Sequence, residues 1–382
     1  MSIWNIMKRE IRQIFVLDPR RILFIFIAGV IYFLLFGGLY MPQTVKHIPM
    51  MICDEDQSAF SRSLVRHFED AEDFQIIGYT YDPAEVEESL RDKEAYAVLE
   101  IPRDFSRKIK TGEPRDALMV INGSNILITS TIALAGEDIL YSFSDQTAAQ
   151  MTAARTGENQ DEVMHKVSPV SFQWRVLNNP VRGYLPFFVI GLAMTAFQAG
   201  MFLEMGASVH AEFRRGSGSQ NIQPGRLLWG KFILHWFLSF IAFGAIIATA
   251  VWWGGMRNAA PLWMLLVMNG CFSFAVIGLG MTVSAVFPSE FQFVRAALFY
   301  AVPSFIMSGY TWPTEAMNGP VLWFSYLFPL TWMSNALRNL LLSGAAWDMG
   351  KDITVLLLMG GTALVFLPPA FRHGMKKHGM TT

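Results

Sequence analysis

Long apolar runs without charge constrain the fold of this 382-residue chain more than any other feature. The runs that lack Asp, Glu, Lys and Arg altogether are residues 22–40, 184–203, 261–287, 296–314 and 353–371. A sixth run, residues 232–256, contains His235 as its one titratable side chain. A helix needs about 20 apolar residues to cross the hydrocarbon core of a bilayer. The sequence therefore predicts an α-helical polytopic membrane protein with six transmembrane helices.

Residues 42–181 have a different texture, with charges and prolines scattered as in a water-soluble domain. Short apolar runs alternate there with helical patterns, which is typical of a small α/β domain. The predicted strands are residues 48–53, 74–79, 96–101 and 118–121. The predicted helices are residues 60–69, 84–91 and a long segment, 126–164, that returns the chain to the membrane. We therefore expect one α/β domain inserted after the first transmembrane helix, residues 22–41.

The distribution of Lys and Arg predicts the topology, because these residues collect on the cytoplasmic flanks of transmembrane helices. They precede the first span, lie between the second and third, and follow the last: Lys8, Arg9, Arg12, Arg20, Arg21, Arg214, Arg215, Arg226, Lys231, Arg372, Lys376 and Lys377. This pattern places both termini and a loop at residues 204–231 in the cytoplasm. It places the inserted domain, residues 42–181, outside.

Residues 1–21 form a separate segment before the first span. Ile3, Met7, Ile11 and Ile14 share one face of a predicted helix, while the basic residues lie elsewhere. That pattern indicates an amphipathic helix on the cytoplasmic surface of the membrane.

Residues 312–337 complicate the count of spans, because most of this segment is apolar and long enough to cross. Pro320 and Pro329 interrupt it, and proline breaks a straight helix. We interpret it as a broken, partly embedded element on the outer side, which protein rather than lipid must surround. Residues 182–382 then form a five-helix transmembrane region.

Three other functions are disfavoured by the sequence: nucleotide binding, ion-coupled transport and proton relay. Gly225 to Lys231 matches a phosphate-binding loop, but Phe232 stands where Ser or Thr should hold magnesium. No Asp, Glu, Lys or Arg lies at mid-depth in the spans, which disfavours an ion-coupled carrier. His235 lies near the cytoplasmic edge, so an interfacial or packing role is favoured over a proton relay. We expect no catalytic residue, no metal site and no nucleic-acid partner.

Ordered motifs along the chain resemble one known family. Residues 308–317 read SGYTWPTEAM and are followed by Trp323, Tyr326, a Pro-Leu-Thr triplet at 329–331, Arg338 and Gly344. Earlier blocks are DPR at 18–20, DEDQS at 54–58, IPRDF at 101–105 and NGSN at 122–125. Together they are similar to the ABC-2 type permeases of bacterial ABC exporters, in the subclass with a large extracytoplasmic domain. Phe328 departs from the Asn frequent in that family.

The resemblance implies a role for the loop at 204–231, which is similar to the element that couples such permeases to their ATPase. The matching residues are Glu212, Arg214, Arg215, Gly216, Ser217, Pro224, Gly230 and Lys231. It also implies an outer gate or exit, with Pro313, Glu315, Pro329 and Arg338 in the segment that follows the fifth span.

The function implied by the resemblance is export of an amphipathic, lipid-like or drug-like cargo from the cytoplasm or inner leaflet of the bacterial inner membrane. ATP and magnesium would bind to separate ABC ATPase subunits and not to this chain. The further partners implied are a second permease chain, identical or homologous, membrane lipid and a periplasmic adaptor. The alternative is a membrane-anchored receptor or assembly factor that binds a ligand through its outer domain and needs no coupling loop.

Overall fold

A computed structural model describes residues 2–42, 44–167, 176, 177, 179, 183–215, 223–346 and 348–378. In chain order its helices and strands are α1 (Ile3–Arg12), α2 (Arg20–Ile22), α3 (Ala28–Leu39), β1 (Ile48–Asp54), α4 (Ala59–Glu69), β2 (Phe74–Thr80), α5 (Pro83–Arg91), β3 (Ala97–Ile101), α6 (Phe105–Thr111), β4 (Leu118–Ile121), α7 (Ile126–Thr156), α8 (Gln160–Val167), α9 (Ile190–Arg215), α10 (Pro224–Trp252), α11 (Leu262–Val286), α12 (Glu290–Ile306), α13 (Gly319–Ser325), α14 (Pro329–Ser343) and α15 (Met349–Lys377). Wider π-helical turns at Gln13–Leu17, Leu23–Ile27 and Leu185–Val189 continue into neighbouring helices. The chain divides into two compact units, Met1–Gln43 with Val176–Thr382, and Thr44–Arg175.

Long apolar helices confirm the predicted fold class. Among the described residues, six helices are long and apolar enough to cross a membrane: Arg20–Leu39, Ile126–Thr156, Leu185–Arg215, Pro224–Trp252, Leu262–Val286 and Met349–Lys377. Five of them coincide with apolar runs of the sequence. The protein is therefore an α-helical polytopic membrane protein.

One predicted span, residues 296–314, does not have the predicted boundaries in the structure. The helix found there, α12, begins at Glu290, where the Ser289 side chain accepts a hydrogen bond from the Gln292 amide. It ends at Ile306, ahead of a turn in which Gly309 has φ +90°. The helix is shifted toward the N-terminus because a capping serine, and not the last charge, determines where it starts. The additional long apolar helix is α7, which belongs to the inserted unit.

Small residues allow the helices of the first unit to pack closely. A Cβ atom on Gly200 in α9 would lie 2.0 Å from the Phe24 carbonyl oxygen, and one on Gly360 in α15 would lie 2.2 Å from the Phe274 ring in α11. Membrane helices associate through such small residues because lipid provides little hydrophobic drive for their contact. The first span and α9 are therefore in direct backbone contact.

The second unit is a small α/β domain, as predicted. Its sheet has the order β2-β1-β3-β4, with β1 parallel to β2 and β3, and β4 antiparallel to β3. Helices α4 and α5 follow the first two strands, and a capping box of Ser58 and Ser61 begins α4. The single long helix predicted over 126–164 is two helices, because Gly157 with φ +74° ends α7.

Candidate functional site

The N-terminal helix packs on protein through a face that shares only Ile14 with the apolar face predicted to lie on the membrane. Ile6, Glu10 and Ile14, each four residues apart, are fully buried, whereas Ile3 and Ile11 of the predicted apolar face are exposed. Helix α1 therefore packs on protein through a stripe that has a carboxylate at its centre.

Gly230 brings α1 onto α10. A Cβ atom at this position would lie 2.9 Å from Cγ2 of Ile6 and 3.4 Å from the carbonyl oxygen of Ile3. Only a residue without a side chain fits so close an approach. The next residue along α10 is Lys231, which the contact places beside α1.

Lys231 is fully buried and binds Glu10. Its Nζ donates to Glu10 Oε1 at 2.5 Å, to Ser208 Oγ at 3.0 Å and to the Ser208 carbonyl at 3.1 Å. The Ser208 hydroxyl donates in turn to Glu10 Oε2 at 3.1 Å. One residue from each of α1, α9 and α10 thus meets in a closed set of hydrogen bonds.

Glu212 extends this contact toward the end of α9. Its Oε1 accepts from Arg9 and Arg215, each at 2.7 Å, and lies 3.1 Å from the Nζ of Lys231. Arg215 also donates to Gln13 Oε1 at 2.6 Å. The structure thus brings together three of the residues predicted for coupling: Glu212, Arg215 and Lys231.

His235 lies one turn further along α10 and joins a second acidic residue. Its Nε2 lies 2.9 Å from Glu204 Oε1, and its Nδ1 lies 2.8 Å from the carbonyl oxygen of Lys231. For both contacts to be hydrogen bonds, Nδ1 must carry a proton that it donates to the Lys231 carbonyl. A second proton must lie between Nε2 and the Glu204 carboxylate, on one or the other. Arg21, at the start of the first span, lies 3.4 Å from the same carboxylate oxygen. His235 is therefore part of a buried contact that joins α10 to α9.

These residues form one set, which we call the buried ionic cluster. Its members are Arg9, Glu10, Arg21, Glu204, Ser208, Glu212, Arg215, Lys231 and His235. Removing ions from water costs several kcal/mol each, so they must be paired once buried. Burial alone would raise the pKa of Glu10, but the charges of Lys231 and His235 and the hydrogen bond from Lys231 lower it to about 2.

The other residues predicted for coupling either do not belong to the cluster or lie outside the residues that the structure describes. Arg214 points to Glu290 on α12, at 2.5 Å, in a pair that is largely open to solvent. Pro224 is the first residue of α10. Gly216 and Ser217 lie outside the described residues. The loop predicted over 204–231 is helical up to Arg215 and again from Pro224, because partner side chains neutralise the charges that were expected to need water.

Five members of the cluster were missed by sequence reasoning: Arg9 and Arg21, which were assigned only to topology, and Glu10, Glu204 and Ser208, which were singled out for no role. A signal was present for two of them. Glu10 interrupts the apolar stripe of Ile6 and Ile14, and Glu204 follows an apolar run directly. An acidic residue in either position needs a buried partner, but a single sequence does not name that partner.

A family model decides the identity of the chain. The model of ABC-2 family transporter proteins matches residues 20–367. The chain belongs to the ABC-2 transporter family. This makes it a membrane-embedded transport subunit, a permease, of the kind that works with an ABC ATPase subunit.

Curated relatives of this ABC-2 transporter agree with the family match. It is 21% identical to the probable multidrug ABC transporter permease YbhR of Escherichia coli K12 over 354 residues, 91% of each chain. It is 26% identical to the probable multidrug ABC transporter permease YbhS of the same strain over 36% of this chain and 37% of that protein. The ABC transporter G family member 20 of Dictyostelium discoideum is 24% identical over 38% of this chain and 20% of that protein.

The phosphate-loop pattern of this ABC-2 transporter is not a nucleotide site. Gly225 to Lys231 form the first turns of α10, so no open loop is present to cradle phosphate. Lys231 is engaged by Glu10 and Glu212. In the described ranges, no three His, Cys, Asp or Glu side chains come together as metal ligands.

The residues predicted for the outer gate lie in and around two short helices. Pro313 precedes a single helical turn at Thr314–Ala316, and Pro329 begins α14. Glu315 is exposed and accepts a hydrogen bond from Thr314 at 3.1 Å. Pro320 lies in the first turn of α13 and Pro329 begins α14, so these two prolines divide the segment as the sequence predicted.

Arg338 holds the turn that precedes these elements. Its guanidinium donates to the Gly309 carbonyl at 3.1 Å and to Asn335 Oδ1 at 2.9 Å. It also lies over the rings of Phe187 and Tyr310, at 5.5 and 5.8 Å from their centroids. Arg338 thus ties α14 to the end of α12 and to the start of the second predicted span.

Proposed function

We propose that this chain is the permease subunit of an ATP-driven exporter of the bacterial cytoplasmic membrane. In this proposal both termini and the coupling element at residues 204–231 lie on the cytoplasmic side, and residues 42–181 lie outside. The excess of Lys and Arg beside the spans supports that orientation. The proposed cargo is amphipathic, drug-like or lipid-like, and the description of YbhR and YbhS as probable multidrug permeases supports the drug-like class.

The buried ionic cluster is the observation that carries the proposal. Glu212 and Arg215 lie in the last turn of α9, and Lys231 lies in the second turn of α10. These turns flank residues 216–222, the segment proposed to contact the ATPase. Glu212 binds Arg9 of α1 at 2.7 Å, and Lys231 binds Glu10 of α1 at 2.5 Å. A displacement of this segment would therefore move three helices together and not one.

The proposed partners follow from this arrangement. Two ATPase subunits would bind ATP with magnesium and dock against this chain and a second permease chain, identical or homologous. Closure of the ATPase pair would move the clusters, and the spans would rearrange toward the outer face. The segment with Pro313, Glu315, Pro329 and Arg338 would gate the exit, where a periplasmic adaptor would receive the cargo.

The test compares Glu212→Gln with Glu290→Gln in proteoliposomes that contain the permease and its co-purified ATPase. Glu212→Gln removes a charge that holds Arg9, Arg215 and Lys231. The control removes a carboxylate from a solvated pair at the same end of the bundle. Transported cargo and hydrolysed ATP are measured in the same vesicles. We expect Glu212→Gln to lower the amount of cargo moved per ATP at least about fivefold, a change in coupling of about 1 kcal/mol.

Two outcomes would contradict the proposal. If Glu212→Gln moves as much cargo per ATP as the wild type, the cluster does not couple hydrolysis to transport. If no ATPase co-purifies with the wild-type chain from gently solubilised membranes, the receptor or assembly-factor alternative gains support. The search would then turn to ligands of the inserted domain.

A further inference from the structure

The inserted domain contains a cavity of about 790 Å³ between α7 on one side and α4, α6 and β4 on the other. Cavities that bind small organic molecules have volumes of about 300–1,000 Å³. This one lies wholly within the second unit. None of its walls belongs to the buried ionic cluster or to the segment proposed as the outer gate.

The walls of the cavity are mostly apolar. Three phenylalanine rings form one wall, with Phe60 at 5.7 Å from Phe105 and 5.2 Å from Phe143, measured between ring centroids. Met119 of β4 and Met151 of α7 add flexible, polarisable side chains. Such walls suit an aromatic or branched alkyl body.

Small side chains on α7 keep the space open. Ala133, Gly136 and Ala148 lie on the face of the helix that lines the cavity. A Cβ atom at Gly136 would lie 2.6 Å from the Met119 methyl group, so helix and strand touch at that point. The cavity is thus a space beside a close contact and not a gap between loosely packed elements.

Charge at the rim of the cavity indicates which ligand fits. Glu113, Asp116 and Glu137 contribute three carboxylates, against the single guanidinium of Arg115. All four side chains are exposed, and none belongs to an ion pair among the described residues. The rim therefore carries a net charge of −2, from three negative groups and one positive group, above an apolar interior.

We propose that this cavity binds an amphipathic organic cation, with its apolar body against Phe60, Phe105 and Phe143 and its positive charge beside the rim carboxylates. An anion of the same shape would meet repulsion at the rim, and a neutral molecule would gain nothing there. The site goes beyond the proposed permease role, since it needs neither ATP nor an ATPase.

The experiment uses the full chain in lipid nanodiscs with ¹³C-labelled methionine methyl groups. Met119 and Met151 report on the cavity, and their resonances are assigned with Met119→Leu and Met151→Leu. Met51 is the internal control, because it packs against Cys53 and Val86 on the other face of the sheet. The probes are tetraphenylphosphonium and tetraphenylborate, which have nearly the same size and opposite charge. Their free concentrations are measured to correct for uptake by lipid.

We expect tetraphenylphosphonium to shift the Met119 and Met151 resonances in a saturable way and to leave Met51 unchanged. Tetraphenylborate should bind about tenfold more weakly at low ionic strength, given a net charge of −2 within several ångströms of the ligand. The combined variant Glu113→Gln, Asp116→Asn, Glu137→Gln leaves only the positive charge of Arg115 and should reverse the preference, to about threefold in favour of tetraphenylborate. Ala148→Trp, which fills the cavity, should abolish binding of both ions.

Three results would overturn the proposal: no saturable shift, equal affinity of the wild type for the two ions, or a shift of Met51 as large as that of Met119. The Met51 resonance also shows whether the combined variant keeps its fold. If it does not, the comparison of tetraphenylphosphonium with tetraphenylborate on the wild type, together with Ala148→Trp, still tests the proposal. Because the assay contains no ATPase, its failure would leave the proposed coupling role unaffected.

Discussion

Replacing Lys231 with methionine tests whether the buried ionic cluster stabilises the transmembrane unit. Methionine has a similar length but leaves Glu10 without the donor that lies 2.5 Å away. Removing one partner of a buried ion pair costs about 3–5 kcal/mol. Glu212 retains Arg9 and Arg215, so we expect a value near 3 kcal/mol.

This loss should be visible in thermal unfolding. A change of 1 kcal/mol shifts the midpoint by about 2–4 °C for a unit of this size, so Lys231→Met should unfold about 6–12 °C below the wild type. The midpoint is measured in one detergent at one heating rate by tryptophan fluorescence. Arg214→Gln is the control: its pair with Glu290 is largely exposed and should shift the midpoint by no more than about 2 °C.

The double variant separates a lost ion pair from general damage. If Lys231 acts through Glu10, Glu10→Gln combined with Lys231→Met should be less destabilised than the sum of the two single variants, by about 2 kcal/mol. A Lys231→Met midpoint within 2 °C of the wild type, or strictly additive effects, would refute the reasoning.

Three further predictions follow from other contacts. Gly230→Ala should unfold at a temperature a few degrees lower and expose α1 to protease, because its Cβ would lie 2.9 Å from a side-chain atom of Ile6. Gly225→Ala is the control: its Cβ would meet nothing within 4 Å, so it should match the wild type. Equal behaviour of the two variants would exclude close packing of α1. The hydrogen bond to Glu69 raises the pKa of Tyr79 to about 12 from 10.0, so its stabilisation is present below pH 10 and lost as the pH rises toward 12. The difference in stability between wild type and Tyr79→Phe, followed by circular dichroism, should be constant below pH 10 and shrink as the pH rises toward 12; curves that stay parallel over that range would contradict this. Arg338→Gln should lower transport at least about fivefold while the ATPase still co-purifies, since the turn carbonyl loses its donor at 3.1 Å, and unchanged transport would argue against a gating role.

The fold could be predicted from the sequence largely because the solvent imposes it. Apolar runs long enough to cross a membrane have few other structures available, and alternating strands and helices identified the inserted domain. The predicted helix boundaries were wrong where a capping residue or a glycine set the end of the helix. Ser289 begins α12 earlier than the charge pattern suggested, and Gly157 divides the long returning helix.

The buried ionic cluster could not be predicted as a unit. Its parts come from residues 9–21, 204–215 and 231–235, and nothing in one sequence states that these segments meet. The inference from charges beside membrane spans concerns only their side of the membrane, so it did not predict that these charges are buried and paired. The residues Glu212, Arg215 and Lys231 were found through family resemblance, but their burial and their bonds to α1 required the structure.

The distance along the chain between the partners of the cluster also sets an order for its assembly. Glu10 and Lys231 are 221 residues apart. At about 5–20 residues per second, ribosomes need roughly 10 to 45 seconds to make the intervening chain. For most of that time α1 exists without α9, and until its end without Lys231 of α10, so its carboxylate must stay in contact with water. Docking of α1 is therefore a late step of biogenesis, and a chain released before α10 has been made would carry an unneutralised acid at the membrane surface.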